Sequence, residues 1–489
     1  MLTVQDIKGY IDNDAVSTKK QLAKVGQRYY DAEHDIKDYK IFYVDANGEI
    51  QEEKIKSNIK ISHPFFTEIV DQEVQHILSG KDGFIKSDTP ELQEKLDEYF
   101  NENEDFTAEL SEMLTGVIAK GFDYMYAYKN EEGRMAFQAA DSIGVVEVKA
   151  KETDDHCEYV ISWYVDSIGK DNKQIKRIEV WDKDQTHFYV QEDDGEIQLD
   201  SSVEMNPRPH TLYRKDKDEK IYYKGFGFIP FFRMDNNKKQ VSGLKPIKDL
   251  IDDYDILNCG LSNNIQDTNE AIYVVKGFDG ENLDELVTNL RNKKHVGVGE
   301  NGEVDIKTID IPVEARKVKL EINEKNIYRF GMALNTSGLK DTNATTNLAI
   351  QAAYTLLDMK CNKLEIRLKQ FLRKLLKVVL AEINEADGTD YQQKDVYFCF
   401  ERETPTNAHE NAQIELTEAQ KQQTVINTLL NLAAHLDNET LMELIFEQLD
   451  LNYEDYKDKL PKPEDNPTYT AQNALNGIIP DDDGGGVIE

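Results

Sequence analysis

The sequence predicts an α+β protein of several modules, and three observations carry that prediction. Apolar stripes at three-four spacing mix with turn-bounded strand patterns over the first half. Two long helical stripes flank a short strand-rich insertion in the second half, and 489 residues exceed one ordinary hydrophobic core. Composition agrees with a folded chain, because 39% hydrophobic residues, with 24 Tyr and 19 Phe, supply enough apolar surface to bury.

Helical stripes over about Ser17 to Tyr39 and Pro64 to Leu78 enclose KIFYVDANGEIQEEKIK, whose alternation around Asn47-Gly48 predicts a β-hairpin at about 40 to 55 with a tight turn. A helix near 105 to 120 follows. Four further hairpins are expected, turning near Glu132-Gly133, Ile168-Gly169, Asp194-Gly195 and Lys215 to Asp218, so residues 1–240 read as one hairpin-rich α+β domain. Past the turn-forming Asp235-Asn236-Asn237, the stripe Leu244, Ile247, Ile251, Tyr254, Leu261 and Ile265 predicts a helix of about 27 residues, roughly 40 Å.

AIYVVKGFDG then predicts a strand, Asn282 to Arg291 a helix, and HVGVGENGEVDIKTIDI a second hairpin around Asn301-Gly302. Val313, Ala315, Val318, Ile322, Tyr328 and Phe330 predict the second long helix. NTSGLKDTNATTN, residues 335–347, is small and polar and predicts a loop. The stripe from Leu348 through Leu364, Phe371 and Val379 to Ile383 predicts a helix of about 38 residues, the longest element. A strand at Val396 to Glu401, helices over His409 to Leu449 broken at Asp437-Asn438, and a disordered acidic tail at 458–489 complete the expectation.

Charge and composition exclude several classes. Lys+Arg 58 against Asp+Glu 93 gives −35, which disfavours tight, salt-resistant binding to DNA phosphates as the main activity. No run of about 18 uncharged apolar residues exists to cross a membrane. The N-terminus carries acids where a signal peptide needs an apolar core, so the chain is expected to stay inside the cell that makes it. Cys157, Cys259, Cys361 and Cys399 show no C-x-x-C spacing and read as buried free thiols.

Catalytic patterns are equally sparse. G-x-x-x-x-G-K-[ST], H-E-x-x-H and G-x-S-x-G do not occur, and Gly297-Val298-Gly299 precedes a hairpin where phosphate cradling needs a helix. His63 and His76 read as capping or packed side chains rather than ligands, so no metal, cofactor or catalytic residue is expected. Charge placement says more. Arg316, Lys317, Lys319, Lys325 and Arg329 stand against Glu314, Glu321 and Glu324 on the second long helix. Lys360, Lys363, Arg367, Lys369, Arg373, Lys374 and Lys377 face only Glu365 between 360 and 377 of the longest. Such a basic stretch is either a solvated face paired with acidic neighbours or a contact for an acidic subunit or polyanion.

ISHPFFTEIVDQEVQHILSG, GFIPFF with SGLKPIKDLIDDYDILNCGLSNNIQDTNEAIYVVKGFDGENLDEL, and IPVEARKVKLEINEKNIYRFG resemble the SPP1-like portal proteins of tailed bacteriophages, from about Gln27 to about residue 380. The resemblance implies a ring, typically of twelve subunits, at one capsid vertex of the virion, built in the host cytoplasm. Double-stranded DNA would enter and leave through it, with terminase, a head-completion adaptor, major capsid and scaffolding proteins as partners, and no membrane. It further implies a wing at 1–240, stem helices at 241–271 and 313–334, and a clip at 272–312. A tunnel loop at 335–347, a long wing helix at 348–388, a wing strand at 389–408 and crown helices at 409–457 would follow.

On that reading the channel candidates are Lys340, with Asn335, Thr336, Ser337, Asp341, Thr342 and Asn343 in the loop and Lys325 and Arg329 in the stem. Lys276, Phe278, Asp279, Arg291, Lys293 and Lys294 are the clip candidates for partner contact. An acidic body would repel the duplex and sparse cations would soften that repulsion, since each fixed phosphate contact adds affinity that opposes sliding. Two other readings compete: a cytoplasmic helical scaffold or adaptor without a DNA channel, which would favour sustained heptads, and a carboxylate hydrolase, which needs a concave site.

Overall fold

In the computed structural model the described residues are 2–45, 47–54, 56–151, 156–168, 174–193, 195–214, 221–267, 272–278, 298–307, 312–336, 347–403, 408–433, 435–449 and 451–457. The chain divides into two units, Met1–Asp341 with Ala353–Glu403, and Thr342–Ala352 with Thr404–Glu489.

The first unit opens with α1 (Val4–Ala15) and α2 (Thr18–Tyr30). Thr3 and Asp6 close a capping box on α1, and only Ile7 and Ile11 of that helix are buried, so its polar stretch carried no stripe to read. The expected helix to Tyr39 ends nine residues early. Ala32 turns left-handed at φ 57° while Glu33 N–H donates to Arg28 O at 2.7 Å, a Schellman stop made without glycine. The hairpin forms from β1 (Phe42–Val44) and β2 (Ile50–Glu52). Its turn is longer than Asn47-Gly48, because Asp45 Oδ1 accepts from Asn47 N and Glu49 N and only Gly48, at φ 84°, is left-handed among the described loop residues.

Next come α3 (Phe65–Ile77), β3 (Ile85–Lys86), α4 (Pro90–Leu96) and α5 (Glu104–Lys120). The strands β4 (Phe122–Lys129), β5 (Met135–Ala140), β6 (Val145–Val148), β7 (Tyr159–Ile168), β8 (Gln174–Trp181), β9 (Gln185–Glu192), β10 (Gln198–Leu199), β11 (Arg208–Pro209), β12 (Thr211–Arg214), β13 (Ile221–Lys224) and β14 (Phe231–Asp235) follow. They build an antiparallel sheet in the order β10-β9-β8-β7-β6, with β11 on β9, a three-stranded sheet β14-β4-β5, and a separate pair β12-β13. The Glu132-Gly133 turn is present, with Gly133 at φ 77°. The strands flanking the other three expected turns pair as antiparallel partners, while residues 169, 194 and 215–218 lie outside the described residues.

The helix expected over 241–271 begins later, as α6 (Lys248–Asp267) of 20 residues. Leu244 to Ile247 form turns capped by Ser242 Oγ, which accepts from Leu244 N at 3.0 Å, and Pro246 has no N–H to donate. Then β15 (Ile272–Phe278) pairs with β16 (Val298–Lys307). This corrects the hairpin around Asn301-Gly302, since both residues lie within one strand at a bulge where the partner slips between Lys276 and Phe278. A Cβ on Gly302 would sit 2.9 Å from Lys276 O, so the bulge needs glycine there. The helix expected at 282–291 lies outside the described residues.

The helix packed on α6 is α7 (Val313–Gly331), and the longest helix among the described residues is α8 (Asn347–Asp387), 41 residues or about 60 Å. The strand expected over Val396 to Glu401 shortens to β17 (Tyr397–Phe398), which pairs only with the two-residue β3. One large core joins α3, α5, α6, α7 and α8 through Phe66, Ile69, Leu110, Val117, Ile247, Ile251, Ile327, Leu368, Phe371 and Leu375. A second core packs Ile7 and Ile11 on Val146, Ile161, Ile178 and Val180 of the large sheet. All four cysteines are free, Cys259 and Cys361 buried and Cys157 and Cys399 half-buried.

The second unit contains α9 (Ala408–Asn431) and α10 (Asn438–Gln448). Asp437 caps α10 by accepting from Thr440 N at 3.0 Å, at the expected break, and Phe446 packs edge-on against Tyr453. The tail from 458 lies outside the described residues.

Candidate functional site

The pairing of α6 with α7 is built from polar side chains as well as the core. Asp253 on α6 accepts from Asn323 Nδ2 at 2.7 Å and meets Lys319 Nζ at 3.0 Å, while Lys319 also donates to Asn323 Oδ1. These contacts set α6 and α7 antiparallel. Burial alone would raise Asp253, but its donors from Asn323 and Lys319 outweigh that and hold it below the usual carboxylate value.

A second face of α6 carries an extended strap, residues 57–63. Asp267, Asn263, Cys259 and Asp255 stand four apart along one stripe of the helix and take alternate backbone N–H groups of the strap. Ser57 N reaches Asp267 at 3.2 Å, Ile59 N reaches Asn263 at 2.6 Å, Ile61 N reaches Cys259 Sγ at 3.2 Å, and His63 N reaches Asp255 at 3.1 Å. The period of two along the strap thus matches the period of four along the helix, about 6 Å in each case.

At the upper end of the strap lies a buried cluster. Asp255 accepts from His34 Nδ1 at 2.6 Å and His63 Nδ1 at 2.7 Å, and His63 Nε2 in turn accepts from Asn258 Nδ2 at 2.6 Å. His34 stacks on Tyr29 at 4.4 Å, and Tyr29 OH donates to Asp252 beside the Lys248 ammonium. Burial pushes Tyr29 well above the ordinary phenol value, and Asp252 adds to that shift. His63 is therefore a packed, hydrogen-bonded side chain, as is His76, whose Nε2 lies 2.8 Å from Asp358. Sequence reading missed Asp255 and His34, because their partners come from positions about 200 residues away.

The expected site residues distribute as follows. Lys325 and Arg329 are exposed on α7, with no partner among the described residues, on the same outward stripe as the exposed Val318 and Ile322. Asn335 and Thr336 follow Leu334, which lies just past the end of α7 and is clamped by Gln72 of α3: Leu334 N donates to Gln72 Oε1 at 2.9 Å and Gln72 Nε2 donates to Leu334 O at 3.1 Å. Tyr328 OH adds a 2.6 Å bond to Glu68. The root of the loop is thus pinned to α3. Ser337, Lys340, Asp341, Thr342 and Asn343 lie outside the described residues. Lys276 sits on β15, exposed and paired with Glu303 at 3.0 Å, and Phe278 ends that strand opposite Val298. Asp279, Arg291, Lys293 and Lys294 lie outside the described residues.

The basic stretch of α8 divides between internal pairing and open surface. Lys360 meets the buried Glu73 at 2.8 Å, Glu365 holds Lys369 at 2.7 Å and Arg402, and Lys374 donates to Arg233 O at 3.3 Å. Lys363, Arg367 and Lys377 have no partner among the described residues.

The class these features define is an α+β protein with two antiparallel helices, α6 and α7, a strand pair between them in sequence, and one very long helix, α8, after them. The sequence profile described as "Phage portal protein, SPP1 Gp6-like" matches residues 11–453. The protein named "Portal protein" of Bacillus phage SPP1 is 31% identical over 352 residues, covering 71% of this chain and 67% of that one. The "Portal protein" of Clostridium phage phiCD119 is 25% identical over 354 residues, covering 68% of this chain and 74% of that one. The chain belongs to the SPP1-like family of phage portal proteins.

Proposed function

We propose that this chain is the subunit of a ring, typically of twelve copies, through which double-stranded DNA enters a capsid during packaging and leaves at infection. The family match over residues 11–453 carries this reading, and the stem supports it: two antiparallel helices fixed by Asp253, Lys319 and Asn323 make a stiff wall element. In this assignment residues 1–240 with β17 are wing, α6 and α7 are stem, and residues 272–312 with β15 and β16 are the clip. Lys276, Phe278, Asp279, Arg291, Lys293 and Lys294 offer terminase and the head-completion adaptor a docking edge. The polar segment 335–347 is the tunnel loop, α8 bridges to the wing, and residues 409–457 are crown.

The channel works passively. The net charge of −35 repels the duplex from the wall, and Lys340, Lys325 and Arg329 supply sparse cations that lower the barrier without gripping phosphates. Major capsid and scaffolding proteins would surround the ring at the vertex. Negative-stain imaging of the purified full chain tests the reading. Rings with a central hole wide enough for a duplex are expected, whereas rods, dimers or compact monomers at high concentration would refute it.

A further inference from the structure

The hairpin β1–β2 is an arm without a seat. All six of its strand residues are exposed. The register pairs Val44 with Ile50 and Phe42 with Glu52, so Phe42, Val44 and Ile50 share one face, at 58%, 67% and 74% exposure. A lone two-stranded hairpin is marginal in water, and one that shows three large apolar side chains on a single face is built to be covered.

Its base, by contrast, is fixed. Glu53 N donates to Ile41 O at 2.8 Å, Asn58 Nδ2 donates to Tyr39 O, and the strap then ties Ser57 to Asp267 at the C-terminal end of α6. The arm therefore stands beside the end of the stem where α6 finishes and α7 begins, since Arg316 of α7 faces the Asn264 amide at that level.

We propose that the arm docks on the stem of a second copy of this chain, at that same level. This rests on the ring reading above. In the ring reading α6 and α7 run along the rotation axis, so each residue keeps its height from copy to copy and the arm comes level with the neighbour's Ile265 and residues 313–319. A closed ring needs such a contact between two different patches. Charge and polarity match. Residues 42–53 hold the acids Asp45, Glu49, Glu52 and Glu53 and no base. The first turns of α7 hold Arg316, Lys317 and Lys319 against Glu314, and Lys317 is exposed with no partner among the described residues. The apolar counterpart is also present, for Ile265, Val313 and Val318 are exposed at this end of the stem.

The test places a photo-crosslinking phenylalanine analogue at Val44 in the full chain and maps the products by mass spectrometry after imaging. Bonds from residue 44 to residues 265–267 or 313–318 of another copy are expected. Phe42→Ser with Val44→Ser and Ile50→Ser should raise the concentration for half-assembly about ten-fold or more while leaving the monomer's circular dichroism unchanged. Glu49→Lys should weaken assembly in the same direction, and Lys317→Glu added to it should restore assembly. Rings that form normally yet crosslink only within one chain, or only to an added capsid protein, or that assemble equally well with the triple variant, would overturn the docking while leaving the ring reading intact. A wild-type chain that never forms rings would refute the ring reading, and the docking with it.

Discussion

Asp255 Oδ2 accepts a 2.6 Å hydrogen bond from His34 Nδ1, and neither side chain touches solvent. With His63 on the other carboxylate oxygen, one residue of α6 joins the segment after α2, the strap and the stem. Burial pushes the Asp255 carboxyl up, but the donors from His34 and His63 outweigh it and hold the group below the usual carboxylate value. A depressed carboxylate contributes stability above its unfolded value near pH 4, and that stability is lost as pH falls through the folded value. Asp255→Asn should cost about 3 kcal/mol at pH 7, because the amide keeps one acceptor oxygen for two imidazole donors and turns an NH2 group toward the other ring. Urea titration should show the loss at pH 7 and a smaller gap from wild type below pH 4. Hydrogen exchange should quicken at the amides of residues 57–63 more than in α5.

Asp123 follows the opposite sign. It is buried beside Lys120 Nζ at 2.9 Å, but that ammonium is shared with Asp141 at 2.7 Å, and burial raises Asp123 to about 6. The folded state then holds a proton between about pH 4 and 6 that the unfolded chain releases, so stability falls as pH rises through that window. The contribution is on the order of 2–3 kcal/mol. Asp123→Asn should flatten the slope of stability against pH between 4 and 6, and an unchanged slope would show that another group titrates there.

Much of this architecture was legible locally. The spacing of Phe65, Ile69 and Val74 marked α3, and the run from Val313 marked α7, because helix faces are written within a few residues. The failures share a cause. The helix after Ser17 stops at Tyr30 because Ala32, an ordinary helix former, turns left-handed, and Asn301-Gly302 shapes a bulge because a partner strand lies opposite. The Asp255 cluster had no local signal at all, since a strap and a helix far apart in sequence create it. Lys325 and Arg329 were readable as exposed cations, but their outward stripe with Val318 and Ile322 emerged only once the buried face of α7 was known.

Two glycines in neighbouring helices should respond oppositely to the same substitution. A Cβ on Gly26 would stand 2.0 Å from Ala119 O, a backbone atom of α5 that cannot rotate away, whereas Gly9 has nothing within 4 Å. Gly26→Ala should therefore force α2 from α5 and cost about 3 kcal/mol. Gly9→Ala, which only removes backbone freedom from the unfolded chain, should stabilise by about 0.5–1 kcal/mol. Thermal melts of the two variants at one protein concentration decide the matter, and a Gly26→Ala variant as stable as wild type would contradict the close approach of α2 and α5.

Lys340 belongs to the proposed tunnel loop, whose root at Leu334 is held by Gln72 from both sides. Replacing a cation by an acid there changes the charge by two in every copy of a ring, so the whole constriction shifts at once, close to the phosphates. The contacts of Asp253, Lys319 and Asn323 that hold α6 to α7 are untouched by a substitution at position 340, and assembly should survive. Lys340→Glu should form rings indistinguishable from wild type by negative stain while lowering packaged DNA and titre by about ten-fold. Raised salt should narrow the gap in an in vitro packaging reaction, because screening weakens phosphate repulsion over about 10 Å at 0.1 M. Full-length packaging by the variant at low salt would remove Lys340 from the wall that DNA passes.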